Sequence, residues 1–363
     1  MPSISDFNDF VKATGNRVAT SPDKIVNDAT KNTYMVARML KGRDASMSVQ
    51  GGAKIIDRIQ LSDSGTATFY LPNEDLDIQN VDTLTNIQID WRFLTDHYAY
   101  TEEELDLNSG NPQTYYKNLL KSKRQACHTS LYNKMEDQLW AVPSNAQMEA
   151  AGGRQPYSIP TFITPDGLAP TGFTTLETIN PTTESGWRNQ VSEYDPANIS
   201  DRQDGLVAAM DDMWLSVKFE APESLQQYAE NDRLNKMVIA TSKDGYKELA
   251  SLTRDANDRL VPQNNLGWVM GQITYAGMPI KYVSTLDTAL LNAGSVIAEG
   301  APWFYFINLN YLYPIFHSTR YMDEKEPMNR DRQPFSFVVW KKLYYNLFMS
   351  SRRRQGLVVP NNL

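Results

Sequence analysis

The sequence predicts an α+β fold in which one long helix and several long strands flank a smaller α/β region. Residues 48–72 alternate loosely between apolar and polar side chains around a polar turn, as expected of a long β-hairpin. Residues 112–140 carry apolar side chains at helical spacing, and a helix of this length extends over about 40 Å. Residues 335–359 are apolar at most odd positions, which is typical of long strands.

The predicted hairpin raises a physical problem. A two-stranded ribbon is only marginally stable in water. This ribbon begins at Gly51 and Gly52 and has too few apolar positions to form a core of its own. The sequence therefore predicts that the ribbon lies on another copy of the same chain.

The segment after the hairpin combines a strand, a short helix and the long helix. The stretch "TNIQIDWRFL" has the period of a half-buried strand, and its predicted buried face contains Ile87, Ile89, Trp91 and Phe93. The run "TEEE" from Thr101 to Glu104 has the form of a capping box at a helix N-terminus. The apolar stripe of the long helix includes Cys127, Leu131, Met135 and Leu139.

Residues 141–200 break the regular pattern, since Pro, Gly, Thr, Ser and Asn are frequent and no period is visible. We predict an extended loop module here. Regular structure resumes near 204, where "DGLVAAMDDMWLSVKF" and "KDGYKELASLTRD" predict helices on either side of the buried strand "KMVIATS". A hairpin over "QITYAGMPIKYVST" follows, and the aromatic run at 303–316 predicts domain core rather than a small-molecule pocket.

The composition is that of a globular protein, with 41% hydrophobic and 21% charged residues among 363. The net charge of −8 argues against a general nucleic-acid binder, whose domains are usually basic. No apolar window of about 18 residues predicts a transmembrane helix, and the N-terminal segment lacks the pattern of a secretory signal. The single cysteine excludes an internal disulfide framework and fits a reducing cytoplasm.

The residues best suited to catalysis are few and badly placed. None of the three histidines, His97, His128 and His317, has metal-ligand spacing. Cys127 and His128 lie about 100° apart on the predicted helix, so they do not face each other as a nucleophile and its base. Cys127 is therefore predicted to be a buried core thiol.

Two short motifs have ordinary explanations. Gly51 and Gly52 precede Lys54, but the full spacing of a phosphate-binding loop is absent. The acidic run at 102–104 fits a helix N-terminus better than a cation site, because acidic side chains complement the helix dipole there. We expect no cofactor, no metal and no enzymatic activity.

The strongest basic run is "SSRRRQG", with Arg352, Arg353 and Arg354. Such a run suits contact with a nucleic-acid backbone. It also suits ion pairs with acidic residues of a neighbouring subunit, or simple hydration of a strand end. Because the chain as a whole is acidic, ion pairs between subunits are our preferred interpretation.

Taken in order, these elements resemble the major capsid proteins of tailed bacteriophages, which have the HK97-type fold. "SMSVQGGAKIIDRIQL" is similar to the start of that family's extended E-loop. "YMDEKEPMNRDRQPFSFVVWKKLYYNL" and "NLFMSSRRRQGLVV" are similar to the strands that close its P-domain. The resemblance covers almost the whole chain in element order.

The resemblance implies a division of the chain into six parts. They are an N-terminal arm at 1–47, the E-loop at 48–85, a first part of the P-domain with the spine helix at 86–145, an insertion at 146–203, an A-domain with a central sheet flanked by helices at 204–319, and the C-terminal P-domain strands at 320–363. The insertion departs from the minimal family pattern, and we expect it to clasp a neighbour or to decorate the outer surface.

The resemblance also implies a function: a shell protein that assembles into hexamers and pentamers of an icosahedral head around the genome. The E-loop residues implied to contact a neighbouring subunit are Gly51, Gly52, Lys54, Arg58, Asp63, Ser64 and Gly65. Arg352, Arg353 and Arg354 are implied to form intersubunit ion pairs or to face DNA. Lys54 lies near the base of the loop, so no covalent cross-link is expected.

The implied partners are other copies of the chain, a separate scaffolding protein, a portal protein, and packaged double-stranded DNA held by weak nonspecific contacts. A cement or decoration protein is an optional further partner. No membrane is involved, and the expected location is the virion, with assembly in the host cytoplasm. Two alternatives stay open: an encapsulin-like nanocompartment shell, and an α/β enzyme that uses 204–319 as its catalytic domain.

Overall fold

The computed structural model describes residues 34–41, 48–61, 64–71, 83–107, 114–142, 144–148, 153–201, 203–217, 237–258, 266–269, 272–276, 278–287, 303–325, 327–330 and 333–361. Its helices are α1 (Tyr34–Lys41), α2 (Glu102–Leu107), α3 (Thr114–Trp140), α4 (Asn145–Met148), α5 (Ile159–Phe162), α6 (Leu206–Val217) and α7 (Lys243–Asp258). Its strands are β1 (Ser48–Val49), β2 (Lys54–Gln60), β3 (Leu84–Asp90), β4 (Arg92–Thr101), β5 (Gln190–Tyr194), β6 (Met237–Thr241), β7 (Leu266–Val269), β8 (Gln272–Tyr275), β9 (Met278–Tyr282), β10 (Phe304–Asn308), β11 (Leu312–His317), β12 (Asp323–Glu324), β13 (Met328–Arg330), β14 (Gln333–Met349) and β15 (Gly356–Pro360).

The 17-residue strand β14 organises a six-stranded sheet. Strand β4 pairs with it antiparallel, from Thr101 opposite Ser336 to Arg92 opposite Tyr345. Strand β11 pairs with its last five residues and continues the sheet to β1, while β12 and β13 pair with its first part. The predicted long C-terminal strands are confirmed.

Helix α3 packs on β4 of this sheet. Its predicted apolar stripe is buried at Cys127, Leu131, Met135 and Leu139. At the start of α2, the Glu104 N–H donates to Thr101 Oγ1 over 3.2 Å, and the Thr101 N–H donates to Glu104 Oε2 over 3.3 Å. The long helix and the capping box are therefore both confirmed.

The second sheet has seven strands in the order β5-β15-β10-β6-β9-β8-β7. Its central strands β6 and β10 are buried at every position, so the aromatic run is core, as predicted. Helix α6 packs on β5 and β15, and α7 packs on β7 and β9. The two predicted helices, the buried strand and the β8–β9 hairpin are confirmed.

The expected boundary between the A-domain and the C-terminal P-domain strands, at 319/320, does not separate the two sheets. Strand β11 precedes that boundary but belongs to the six-stranded sheet. Strand β15 follows it but pairs with β10 and β5 in the seven-stranded sheet. The turn between β14 and β15, at 350–355, therefore joins the two sheets.

The expectation of an outward or neighbour-clasping insertion at 146–203 is wrong for most of residues 153–201. This segment contributes β5 to the seven-stranded sheet and buries a set of apolar side chains in the main hydrophobic core. They are Tyr157, Ile159, Phe162, Ile163, Leu176, Ile179 and Trp187. The composition did not predict this burial, because a segment without regular helices or strands can bury apolar side chains as readily as regular elements do.

The ribbon differs from the predicted hairpin in its second strand. Strand β2 pairs antiparallel with β3, from Lys54 opposite Asp90 to Gln60 opposite Leu84, so the returning strand is 84–90 and not 66–72. The inner face of the pair buries Ile55, Ile87 and Ile89 in the core of its own chain. The prediction that the ribbon lies on another copy is therefore wrong for its base.

The two glycines at the start of the ribbon have backbone conformations that other residues rarely adopt. Gly51 has a φ of 134° and Gly52 a φ of 103°. The chain passes here from β1, in the six-stranded sheet, into the ribbon. A side chain at either position would be strained.

Helix α1, in the expected N-terminal arm, packs on α3 of its own chain and buries Met35, Val36 and Met39. The Val36 N–H donates to the buried carboxylate of Glu136 over 2.8 Å. The rest of the expected arm, 1–33 and 42–47, lies outside the described residues. No helix in the described ranges has the length and hydropathy needed to cross a membrane.

Candidate functional site

Two of the three histidines contact aromatic rings. His97 stacks on Trp340 at 4.7 Å, and His317 contacts the ring of Trp91 at 5.5 Å. Among the described residues, no three His, Cys, Asp or Glu side chains are grouped to hold a metal ion. Cys127 is buried, as predicted. Burial raises the pKa of its thiol to about 11, and Asp96 adds to the shift, so the thiol is a poor nucleophile at neutral pH.

The segment 64–71 is exposed at every side chain, and we call it the ribbon tip. It contains the predicted contact residues Ser64 and Gly65, whereas Asp63 lies outside the described residues. Phe69 is fully exposed, and Tyr70 and Leu71 are 66% and 72% exposed. Three consecutive exposed apolar side chains are costly in water, since each leaves apolar area hydrated.

The ribbon base carries the other predicted contact residues. Lys54 and Arg58 lie on its outer face, and the Lys54 Nζ is 3.5 Å from Asp90 across the ribbon. Ile56 lies between them and is 63% exposed. The carbonyl of Gly52 accepts a hydrogen bond from the indole of Trp91 over 3.0 Å, which holds the base on its own chain.

A second exposed apolar surface was not predicted. Phe93 lies opposite Tyr344, and His97 lies opposite Trp340, on the outer face of the β4–β14 pair. Their ring centroids are 4.5 and 4.7 Å apart. Phe93 is 66% and Trp340 38% exposed, so the prediction that Phe93 is buried is wrong. We call these four residues the aromatic sheet face.

A signal for this face existed in the sequence. The odd positions of β14 from Val339 to Met349 are buried and apolar except for Lys341, but the even positions include Trp340 and Tyr344, so both faces of the strand carry large aromatic side chains. A strand with one face in water normally has polar residues there. The break at Trp91, between β3 and β4, also reversed the face on which Phe93 lies.

Arg352 is fully buried within its own chain. Its guanidinium donates to the carbonyls of Phe162, Trp187 and Leu168 over 2.7 to 3.0 Å and to Asn189 Oδ1 over 3.1 Å. Burial lowers the pKa of Arg352 to about 9, an effect that the carboxylates of Glu177 and Asp166 oppose. The prediction that Arg352 faces DNA or a neighbouring subunit is therefore wrong.

The next two arginines lie at the surface. Arg353 is exposed, and Arg354 is half-buried with its Cζ 4.2 Å from the centroid of the Tyr311 ring. Both line a cleft of about 320 Å³ whose opposite wall is Ile59, Gln60 and Leu61, at the end of β2. The structure therefore brings the ribbon base and two of the three predicted arginines together.

An ionic cluster lies between α3 and the six-stranded sheet around the buried Lys341, and we call it the α3–sheet cluster. Lys341 is 1% exposed, and its Nζ is 2.5 Å from His128 Nε2 and 3.3 Å from Glu324 Oε2. Glu324 also accepts the hydroxyl of Tyr98 over 2.6 Å and pairs with Arg124 over 2.7 Å. Sequence patterns gave no sign of it, because its members come from α3, β4, β12 and β14.

His128 is neutral in this cluster. The Lys341 ammonium has only donors, so His128 Nε2 must accept its hydrogen bond. Burial lowers the pKa of His128, and the positive charges of Lys341 and Arg124 lower it further, while Glu324 acts in the opposite direction. Protonation of His128 would remove the acceptor and place a second cation beside Lys341.

The cluster predicts a pH dependence of stability. The unfolded chain protonates His128 near its ordinary pKa of 6.5, whereas the folded chain does so only at lower pH. The stability contributed by neutral His128 is thus present above pH 6.5 and is lost as the pH falls below it. We expect the free energy of unfolding to decrease as the pH falls below that value.

Urea unfolding at several pH values tests this prediction. His128→Gln keeps an acceptor for Lys341 but does not titrate, so it is expected to flatten this part of the pH profile. His97→Gln, at an exposed position, is the matched control and should keep the original profile. Identical slopes for the unmodified chain and His128→Gln would contradict the prediction.

Comparisons with known proteins identify the fold of the chain. No protein-family model matches the chain, and no curated protein matches it. The capsid protein of cyanophage A-1(L) superposes with a TM-score of 0.55 at 10% identity, over 93% of this chain and 95% of its own. The mature capsid protein of bacteriophage PhiM1 gives 0.49 at 13% identity, over 87% and 85%.

The SrpI encapsulin of Synechococcus elongatus PCC 7942 is also similar, with a TM-score of 0.47 at 11% identity over 94% of both chains. The likeness to the cyanophage protein covers nearly the whole of both chains. The chain therefore has the HK97-type fold of phage capsid proteins, as the sequence resemblance implied.

Proposed function

We propose that this chain is the major capsid protein of a tailed double-stranded DNA phage and assembles into the hexamers and pentamers of an icosahedral head. The observation that carries the proposal is the ribbon tip, which exposes Phe69, Tyr70 and Leu71 on a chain with the HK97-type fold. Contiguous exposed apolar side chains of this kind mark an interaction site.

The aromatic sheet face offers a complementary surface on the same chain. We infer that the ribbon tip of one subunit packs against the aromatic sheet face of the next. An interface between two different surfaces of identical chains is heterologous, and it closes into rings when the rotation between subunits permits. Obligate interfaces of this kind often bury more than about 2,000 Å².

The roles of the chain segments follow from this proposal. The ribbon at 48–90 acts as the E-loop, α3 and the six-stranded sheet build the P-domain, and α6, α7 and the seven-stranded sheet form the A-domain. Within the expected N-terminal arm, α1 packs on α3 of its own chain. Residues 153–201 support the core of their own subunit.

We interpret the chain as a structural protein and not as an enzyme. The α3–sheet cluster is the most convergent set of ionisable side chains in the described residues, but Lys341 within it is 1% exposed. A group enclosed between a helix and a sheet does not meet a substrate. The cluster therefore fits a role in holding α3 on the sheet.

The proposed location is the virion shell, after assembly in the host cytoplasm. A separate scaffolding protein, a portal protein and weakly held DNA complete the proposed set of partners, with a cement protein as an optional addition. No charge pattern in the described residues argues for tight DNA binding, and the net charge of −8 opposes it.

The decisive experiment is electron microscopy of the full chain, expressed alone and together with a scaffolding protein from the same genome. Closed shells, tubes or capsomer rings are expected. Particles that carry an enzyme as cargo would favour the encapsulin-like alternative. Uniform small oligomers at high concentration with scaffold, particularly with measurable turnover of a substrate, would overturn the proposal in favour of an enzyme.

A further inference from the structure

We propose that the cleft between the ribbon base and the turn at 350–354 binds an acidic side chain from a second copy of this chain. The inference rests on the proposed shell function and assigns the cleft a specific role in it. Four chain segments form the cleft: the end of β2, the turn at 185–187, the turn between β10 and β11 at Tyr311, and the turn that joins the two sheets.

The walls of the cleft are firmly held. The guanidinium of Arg352 anchors the 350–354 turn from inside the core. The Ser350 N–H donates to the carbonyl of Tyr311 over 2.8 Å, and Arg354 stacks on the same tyrosine. A Cβ at Gly186 would lie 3.0 Å from the carbonyl of Leu61, so the wall at 185–187 closely approaches the ribbon base. Such a site loses little conformational entropy on binding.

The lining is cationic. Arg353 and Arg354 bring two guanidinium groups and Ser351 a hydroxyl, while the Ser350 hydroxyl donates to the carbonyl of Tyr311 over 3.3 Å. Guanidinium groups bind carboxylates through two parallel hydrogen bonds, which makes an acidic side chain a well-matched occupant. Each copy of the chain carries 43 acidic residues against 35 basic ones, so a second copy has carboxylates in excess.

Three features favour a second copy over nucleic acid. One wall of the cleft is apolar, with Ile59, Leu61 and Trp187, and suits the methylene groups of Asp or Glu better than a phosphate backbone. The cleft is also continuous with β2, whose ribbon tip is proposed to lie on a neighbouring subunit. A net charge of −8 repels a polyanion from the chain as a whole.

Cross-linking within assembled particles tests the inference directly. Arg353→Lys keeps the positive charge and supplies an amine, which a carbodiimide joins without a spacer to a carboxylate in contact with it. Particles are assembled from mixed light and heavy isotope-labelled chains and analysed by mass spectrometry. We expect a link from residue 353 to an Asp or Glu of another chain, in shells and not in the unassembled protein.

Charge reversal gives a second measurement. Arg353→Glu with Arg354→Glu should reduce the yield of shells by about tenfold or more at low salt, because like charges then meet across the interface. The matched control is Lys243→Glu with Lys247→Glu, which makes the same change in charge at exposed positions on α7 and should assemble normally. Thermal unfolding of both unassembled variants checks that they fold.

The outcomes separate the inference from the function on which it rests. Absence of shells from the unmodified chain overturns the proposed function and the inference with it. Shells without an interchain link at residue 353, or normal assembly of the charge-reversed variant, overturn the inference alone. If that variant assembles normally but binds labelled DNA more weakly than the control, the cleft binds nucleic acid instead.

Discussion

Arg352→Met is expected to lower the free energy of unfolding by about 3–5 kcal/mol. The substitution removes four buried hydrogen bonds at once, to three carbonyls of the 153–201 segment and to Asn189 Oδ1. Acceptors left without a donor in the core each cost desolvation energy. It also removes a positive charge that interacts electrostatically with the buried Glu177.

Arg353→Met provides the matched control for this prediction. The same chemical change at the exposed neighbouring position should alter the free energy of unfolding by less than about 0.5 kcal/mol. Urea unfolding of the unassembled chain, followed by tryptophan fluorescence, measures both variants. Equal effects at 352 and 353 would show that the contacts of Arg352 do not stabilise the fold.

Simultaneous replacement of Phe69, Tyr70 and Leu71 by serine is expected to abolish shell formation while the chain stays folded. These side chains are exposed, so the folded chain loses little packing when they are shortened. In the assembled state they are proposed to be buried, and an apolar side chain of this size contributes about 1.5–3 kcal/mol on full burial. Because every subunit of a shell makes the same contact, the loss of this burial free energy at each subunit is expected to prevent assembly.

Electron microscopy and sedimentation measure assembly, and thermal unfolding measures stability. The matched control is a triple variant in the same ribbon tip, Ser64→Ala, Thr66→Ala and Thr68→Ala, which shortens three polar side chains and keeps Phe69, Tyr70 and Leu71. It is expected to assemble. Normal shells from the Phe69, Tyr70 and Leu71 variant would remove the ribbon tip from the proposed interface.

Much of this structure is determined by local sequence. Helix α3 and its buried stripe follow from apolar side chains at helical spacing. The capping box follows from Thr101 and Glu104, which lie three positions apart. The α6, β6 and α7 elements and the β8–β9 hairpin are equally local. These features depend on interactions between residues a few positions apart, so the pattern alone predicts them.

Only the tertiary structure decided which surfaces are buried. Strand β2 had two candidates for its partner, and β3 prevails over 66–71 because Ile87 and Ile89 reach the core beside Ile55. Arg352 and Arg353 are the same residue type in the same basic run. The side chain of Arg352 is nevertheless buried in the core, whereas that of Arg353 faces solvent.

The same holds for residues 153–201, whose composition is that of a loop although their side chains pack in the core. The fold class and the family resemblance therefore came from the order of local elements. The ribbon partner, the buried arginine and the cleft depend on contacts between residues far apart in the chain. Their energies are set by burial and by the hydrogen-bond partners that burial demands, which no local pattern records.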